Sequence, residues 1–226
     1  RQIPSSSPRY VDAAHIARRA EARRHGHRAA LTLLDTLEAR ADNSWQRAGV
    51  QAARIQAFLD SAQVEPALSA SQQLRARFPN TPWARWARRT EYEATRLQPG
   101  MPAPSLTLRT LRGDTLSLRS LRGRPVVLEY YRPGLDLYTL QRPLRNALHD
   151  ATRADSVAFV SVSIEPDTVV NRAFLQHRRL PGHRAIAADG ARDSLVTRYN
   201  AVRVPSWVLI DSAGTIVDRY QASGLP

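Results

Sequence analysis

The 226-residue chain contains no cysteine. That absence excludes disulfides, thiolate metal sites, iron–sulfur clusters and every catalytic mechanism that needs a cysteine nucleophile. Lysine is absent as well, so all 33 basic side chains are arginines, whose planar guanidinium groups pair bidentately with carboxylates and phosphates. No apolar run in the sequence approaches about 18 residues, so we expect no transmembrane segment.

The formal charge of the chain is +13, which favours anionic partners. The sequence begins at Arg1, and its single methionine is Met101. Residues 1–8 are polar and punctuated by prolines, a composition typical of the stub that remains after an export signal is removed. We therefore expect a periplasmic protein that is peripheral to the membrane.

The first part of the sequence, residues 9–98, carries apolar side chains at helical spacing. The repeating sets are Ala30, Leu33, Leu34 and Leu37; Ala48, Ala52, Ile55 and Leu59; Ala67, Ala70, Leu74 and Phe78; and Trp83, Ala87, Ala94 and Leu97. Breaks fall at Gly26, at residues 42–44 and at 78–82, where Thr81 is a candidate helix cap ahead of Pro82. The pattern predicts an all-α domain over residues 1–98, a helical bundle in which residues 67–89 resemble one tetratricopeptide-type hairpin.

Three prolines and a glycine within residues 98–104 mark a domain boundary. Beyond it, strand-like and helix-like segments alternate, which predicts an α/β domain over residues 99–226. The predicted strands are 105–108, 116–118, 125–131, 157–164, 207–210 and 215–217, and the predicted helices are 137–152, 168–178 and 191–199.

Five segments of this second domain match one known family in order and spacing. They are residues 100–104 (Gly-Met-Pro-Ala-Pro), 111–118, 121–128, 204–211 (beginning Val-Pro-Ser-Trp) and 214–217. From Gly100 to about Tyr220 the chain resembles the thioredoxin-fold domains of TlpA-like and peroxiredoxin-like envelope proteins. The resemblance implies a thioredoxin-like fold in which Val204-Pro205 is a cis peptide that faces the start of the helix near Leu135.

The chain departs from that family at the redox site. Aligned on the aromatic pair Tyr130-Tyr131, the two cysteine positions of the family hold Leu135 and Tyr138. The alternative alignment on a peroxiredoxin pattern finds Leu137 and Leu140 instead. Leucine does not ionise and tyrosine forms no disulfide, so we expect a redox-inactive domain with Leu135, Tyr138 and Pro205 as degenerate active-site positions. Without thiols, we expect Glu129 on the central strand to pair with an arginine.

Other catalytic and cofactor patterns are weak. His25 and His27 lie among arginines that repel a cation, which favours a solvated basic face over a metal site. His177 and His183 flank Pro181-Gly182 near Asp189, a pattern that gives little support to a metal or catalytic role. No phosphate-binding loop or dinucleotide fingerprint occurs in the sequence. We therefore predict no catalytic, cofactor or metal site.

Two arginine clusters are the candidate partner-binding residues. Arg19 and Arg23 share a helix face, and the segment 83–89 interleaves tryptophan with arginine at Arg85, Trp86, Arg88 and Arg89. The structural alternative places Trp83 in the helical core and the arginines in water. As a partner we expect an acidic protein surface, with anionic lipid headgroups as a lesser alternative and no nucleic acid.

These features predict a non-catalytic accessory subunit or adaptor of an exported, membrane-associated complex, with a respiratory or photosynthetic electron-transfer assembly as one setting. The alternative is a periplasmic assembly factor or a peptide-binding chaperone that uses the cis-proline groove. Thioredoxin-like domains normally end in a helix that packs on the sheet, whereas this sequence stops at residue 226 after a hairpin. We expect an apolar sheet face that another element or a partner must cover.

Overall fold

The structure is a computed structural model that describes residues 4, 6–176 and 180–221. The chain divides into two compact units, of which one ends at Ala94 and the other begins at Thr95. None of the helices in the described residues is long and apolar enough to cross a membrane.

Five helices make up the first unit, as the apolar spacing predicts, and the last of them extends two residues beyond its boundary. They are α1 (Tyr10–His25), α2 (His27–Arg40), α3 (Ser44–Asp60), α4 (Val64–Arg77) and α5 (Pro82–Arg96). Gly26 separates α1 from α2 with a φ of 88°, a conformation that glycine adopts without strain. The Thr81 hydroxyl accepts a hydrogen bond from the backbone N–H of Ala84 at 3.2 Å, which confirms the predicted cap of α5.

Small residues let the helices of this unit approach closely. Ala48, Ala52, Leu74, Trp83 and Ala87 belong to one buried cluster. A second cluster is built around Tyr10, whose hydroxyl donates to the carbonyl of Leu37 at 2.6 Å. The two clusters give the helical unit a core of its own.

The second unit contains a two-stranded and a five-stranded sheet. The strands are β1 (Thr107–Arg109), β2 (Thr115–Ser117), β3 (Val126–Tyr131), β4 (Ala158–Ser163), β5 (His183–Ile186), β6 (Ser206–Ile210) and β7 (Ile216–Gln221). The large sheet has the order β5-β4-β3-β6-β7. Its β3 pairs in parallel with β4 and antiparallel with β6, so β3 is the central strand that the apolar run predicts.

The helices of this unit differ from the sequence prediction in two places, and the third predicted helix agrees over its described residues. The predicted helix 137–152 is two helices, α6 (Asp136–Leu140) and α7 (Arg142–Ala151), because Pro143 lies in the first turn of α7 and lacks the N–H that would continue α6. The helix predicted at 168–178 is α8 (Thr168–Gln176), and residues 177–179 lie outside the described residues. The helix predicted at 191–199 is a 3-10 turn followed by the short α9 (Ser194–Thr197).

Alternation along β3 places its side chains on two faces. Leu128 and Tyr130 belong to the main core, with Val160 of β4 and Tyr199. Glu129 and Tyr131 point to the opposite face, where they meet side chains of α6, α7 and α8. This second face carries Tyr138, one of the two positions that the sequence analysis aligned with the family cysteines.

Candidate functional site

The positions aligned with the family cysteines lie at the start of α6. Leu135 is the residue that precedes the helix, and Tyr138 lies in its first turn. The Val204-Pro205 bond, which the resemblance places opposite them, is cis, as predicted.

Tyr138 fills its position with an aromatic ring. Its side chain is 1% exposed and stacks on Tyr131, with 4.6 Å between the ring centroids. Phe174 of α8 contacts both rings, and Leu135 packs against the same cluster. Tyr138 is therefore buried in an aromatic cluster, and the half-buried Leu135 packs against that cluster.

A buried ion pair lies directly beside that cluster. The carboxylate of Glu129 accepts hydrogen bonds from the Arg145 guanidinium at 3.2 Å, the Ser161 hydroxyl at 2.8 Å and the Tyr138 hydroxyl at 3.2 Å. The side chains of Glu129 and Arg145 are each 2% exposed. This geometry confirms the expectation that Glu129 pairs with an arginine.

The same guanidinium also touches the aromatic ring. The Arg145 Cζ lies 4.7 Å from the centroid of the Tyr138 ring, a cation–π distance. Arg145 thus links the acid of β3 to the residue that occupies the second cysteine position. One side chain of α7 therefore contacts both Glu129 and Tyr138.

Burial shifts the pKa values of Glu129, Tyr131 and Tyr138. Burial raises the pKa of Glu129, while Arg145 and the hydrogen bonds from Ser161 and Tyr138 oppose that rise. The pKa of Tyr131 and that of Tyr138 are also raised, first by burial and then by the Glu129 charge. Both phenols stay protonated at neutral pH, so neither supplies an anionic nucleophile.

The predicted partner-binding cluster on α5 is divided between the surface and the core. Arg85, Arg88 and Arg89 are exposed, whereas Trp86 is 6% exposed and belongs to the helical core with Trp83. The Trp86 ring therefore offers no apolar area to a docking partner. Its i+3 spacing from Trp83 places it on the buried face of the helix.

The arginine cluster on α1 is likewise divided between the surface and the interior. Arg19 and Arg23 lie on the surface. Their neighbour Arg18 is buried and forms an ion pair with Asp60 of α3 at 2.7 Å. Arg18 therefore has a structural role, and the exposed members of the cluster remain the candidates for binding.

The candidate histidines are dispersed. His25 is exposed, and the His27 ring lies 2.8 Å from the Ser61 hydroxyl. His183 is part of β5, while His177 lies outside the described residues. Within the described residues no group of three or more histidine, aspartate or glutamate side chains is arranged to hold a metal ion.

Sequence reasoning missed a leucine groove between α7 and the β6–β7 edge of the sheet. The groove has a volume of about 660 Å³, and Leu144, Leu148, Trp207, Leu209 and Tyr220 line it. Leu144 is 74% exposed, and Leu140, one turn before it, is 76% exposed. The four-residue spacing of these leucines in the sequence was the available signal.

Comparison with known proteins identifies the fold. No known family profile and no curated protein sequence matches the chain. Among solved structures, the thioredoxin domain of a thiol-disulfide oxidoreductase from Bacteroides vulgatus superposes with a TM-score of 0.51 and 19% identity, covering 56% of this chain and 91% of that one. A proposed thiol:disulfide interchange protein, DsbE, from Chlorobium tepidum gives 0.51 and 21%, covering 55% and 86%. The C-terminal part of the chain therefore has a thioredoxin-like fold, without any cysteine for the thiol chemistry after which those two proteins are named.

Proposed function

We propose that the protein is a non-catalytic accessory subunit or adaptor that binds another protein. The observation that carries this proposal is the buried side chain of Tyr138 at one of the positions that we align with the family cysteines. Tyr138 fills one of them, and the buried pair Glu129–Arg145 fixes that ring from the side. A buried network of this kind, in which the Glu129 carboxylate accepts three hydrogen bonds, holds a single conformation and presents no ionised nucleophile to a substrate.

Exposed arginines supply the binding chemistry. Arg85, Arg88 and Arg89 lie on one exposed face of α5, and none of them forms an ion pair with a described residue. Guanidinium groups that meet carboxylates in a desolvated interface make bidentate, charge-assisted bonds. Such contacts contribute about 2 kcal/mol or more at a binding hot spot, whereas an exposed pair contributes at most about 1 kcal/mol. An acidic protein surface is therefore the partner we propose.

The proposed location is the outer face of a membrane-bound complex. The charge of +13 supports attachment to an acidic subunit of such a complex. A respiratory or photosynthetic electron-transfer assembly is one such setting.

A second candidate function, an assembly factor or peptide-binding chaperone, is favoured by the leucine groove. Clustered exposed apolar side chains of this kind can bind an apolar segment of another polypeptide. Leu140, Leu144 and Tyr220 lie exposed in or beside the groove, so an apolar peptide segment has access to it.

Retention on native membranes tests the first function. We would replace Arg85, Arg88 and Arg89 by alanine together, leave the buried Trp86 intact, and measure how much protein stays bound as salt rises. The matched control replaces the exposed Arg112, Arg153 and Arg172 by alanine, which removes the same charge from the other unit.

The proposal expects wild type and control to be retained, with a moderate loss in salt, and the α5 variant to be released. Full retention of the folded α5 variant would contradict it. If replacement of Leu144 by glutamine released the protein from the membranes and the α5 substitutions did not, the chaperone function would be favoured.

A further inference from the structure

A second cavity lies between the β1–β2 hairpin and the β6–β7 turn, away from the degenerate redox site. Its volume is about 540 Å³, within the range of small-molecule sites. Three backbone segments enclose it: residues 103–107, the 3-10 turn with its flanks at 117–126, and residues 210–214.

The floor of this cavity is apolar. Leu106, Leu121, Val126 and Ile210 form it, and all four are buried members of the main core of the second unit. Leu118 adds a partly buried side chain from the wall. A ligand that reaches the floor therefore meets branched aliphatic groups.

The rim of the cavity is cationic. Arg119, Arg122 and Arg124 line it and are exposed, and Asp211 is the one carboxylate among its described lining residues. The Asp211 Oδ1 atom accepts a hydrogen bond from the Thr215 backbone N–H at 2.8 Å. Within the described part of the chain, none of the three arginines forms an ion pair. Three clustered cations facing one carboxylate attract an anion.

Backbone hydrogen bonds hold this rim in place. The Gly123 N–H donates to the carbonyl of Ser212 at 2.9 Å, which ties the arginine segment to the β6–β7 turn. The Arg122 guanidinium lies against Gly214, where a Cβ atom would come within 2.5 Å of its Cζ. Arg124 donates from Nε to the carbonyl of Ser156 at 2.7 Å. Two of the three cations are therefore positioned before any ligand arrives.

We propose that this cavity binds an organic carboxylate that carries a compact apolar group, with the carboxylate at the arginine rim and the apolar group on the leucine and isoleucine floor. Guanidinium groups match carboxylates in geometry as well as charge, and the floor selects against small hydrated anions. The carboxylate comes from a free small acid or from the carboxyl end of a peptide with an apolar last residue. The site is independent of the proposed partner surface on α5.

Titration with three probes tests the chemistry. Hexanoate, hexanamide and inorganic phosphate are added in turn to the ¹⁵N-labelled protein, and the arginine Nε–H and backbone signals are followed by NMR. We expect saturable binding of hexanoate with shifts at Arg119 and Arg122, and at least tenfold weaker binding of the other two. Lengthening the acid from butanoate to hexanoate strengthens binding by up to roughly fourfold per methylene if the floor is used. Equal binding of hexanamide or of phosphate would overturn the proposal.

Variants tie the binding to the rim. Arg119→Gln and Arg122→Gln are each expected to weaken hexanoate binding about tenfold, whereas Arg153→Gln, which removes the same charge from an exposed site outside the cavity, leaves it unchanged. Equal loss in all three variants would show a non-specific charge effect and overturn the proposal. The source of the carboxylate is identified by comparing hexanoate with the peptide acetyl-Gly-Gly-Leu. The peptide is tested both with a free carboxyl end and with an amidated one. Tighter binding of the peptide acid indicates a peptide end, and tighter binding of hexanoate indicates a small acid.

Discussion

Glu129 of β3 and Arg145 of α7 form an ion pair at 3.2 Å in which both side chains are almost completely removed from solvent. Ser161 and Tyr138 complete the coordination of the carboxylate with hydroxyl donors. The Glu129 carboxylate is therefore part of a buried structural network. Substitutions in that network therefore give the most direct predictions for the stability of the protein.

Replacement of Arg145 by leucine should lower the free energy of unfolding by about 3–5 kcal/mol, because it leaves the Glu129 carboxylate buried without its counterion. Urea unfolding measures the change. Arg153→Leu is the matched control on the exposed surface, and the double variant Glu129→Leu/Arg145→Leu should recover much of the loss. A single variant as stable as the control would contradict the structural role of the pair.

Removal of the Tyr138 hydroxyl tests the part of the network that reaches the family cysteine position. Tyr138→Phe keeps the stacked ring and loses one hydrogen bond to Glu129, so the expected cost is about 1 kcal/mol. Tyr138→Ala also empties the aromatic cluster and should cost about 3–5 kcal/mol. Thermal and urea unfolding measure both, with the exposed Tyr220→Phe as a control that changes stability by less than about 0.5 kcal/mol. Equal stability of Tyr138→Ala and wild type would place this ring outside the core.

Much of this site could be predicted from the sequence, since Tyr130-Tyr131, Val204-Pro205 and the acid of β3 are local features. The identity of Arg145 could not be, because Glu129 and Arg145 meet only after α7 packs on the sheet. The β5 strand was missed because its short segment, His183–Ile186, carries mixed side chains and is defined by pairing with β4. Trp86 was assigned to the surface by composition, although its spacing from Trp83 indicated the buried face of α5.

His15 should make the helical unit sensitive to acid. Its ring is buried and stacks on Trp83, and burial together with Arg18 and Arg19 lowers its pKa to about 4, which Asp12 and the Gly49 backbone only partly oppose. The unfolded chain, with a histidine pKa of about 6.5, therefore binds this proton more readily than the folded chain does. Stability should be complete above about pH 6.5 and should fall as the pH drops towards about 4, by up to about 3 kcal/mol.

The variant His15→Leu should remove this component, which the difference between the two unfolding curves across that pH range measures. His25→Leu, at an exposed position, is the control and should follow the wild type. Parallel curves for wild type and His15→Leu would show that His15 does not carry the acid sensitivity.

Thiol and peroxide assays test the loss of redox chemistry. With no cysteine in the chain, the purified protein should neither reduce insulin disulfides nor consume hydrogen peroxide above a buffer blank. A thioredoxin-fold protein with an intact cysteine pair serves as the positive control. Turnover that follows the protein through purification and persists in Tyr138→Phe would reveal a cysteine-independent enzyme and end the non-catalytic account.

Stoichiometry in gently solubilised native membranes is the most direct test of the proposed role. Quantitative mass spectrometry of the complex that co-purifies with this protein measures the ratio of the chain to its partner. An accessory subunit is predicted to occur at a fixed, whole-number ratio to one acidic protein through successive purification steps. A substoichiometric ratio that falls with each step, or a broad set of partners, would contradict the account and favour a transient chaperone.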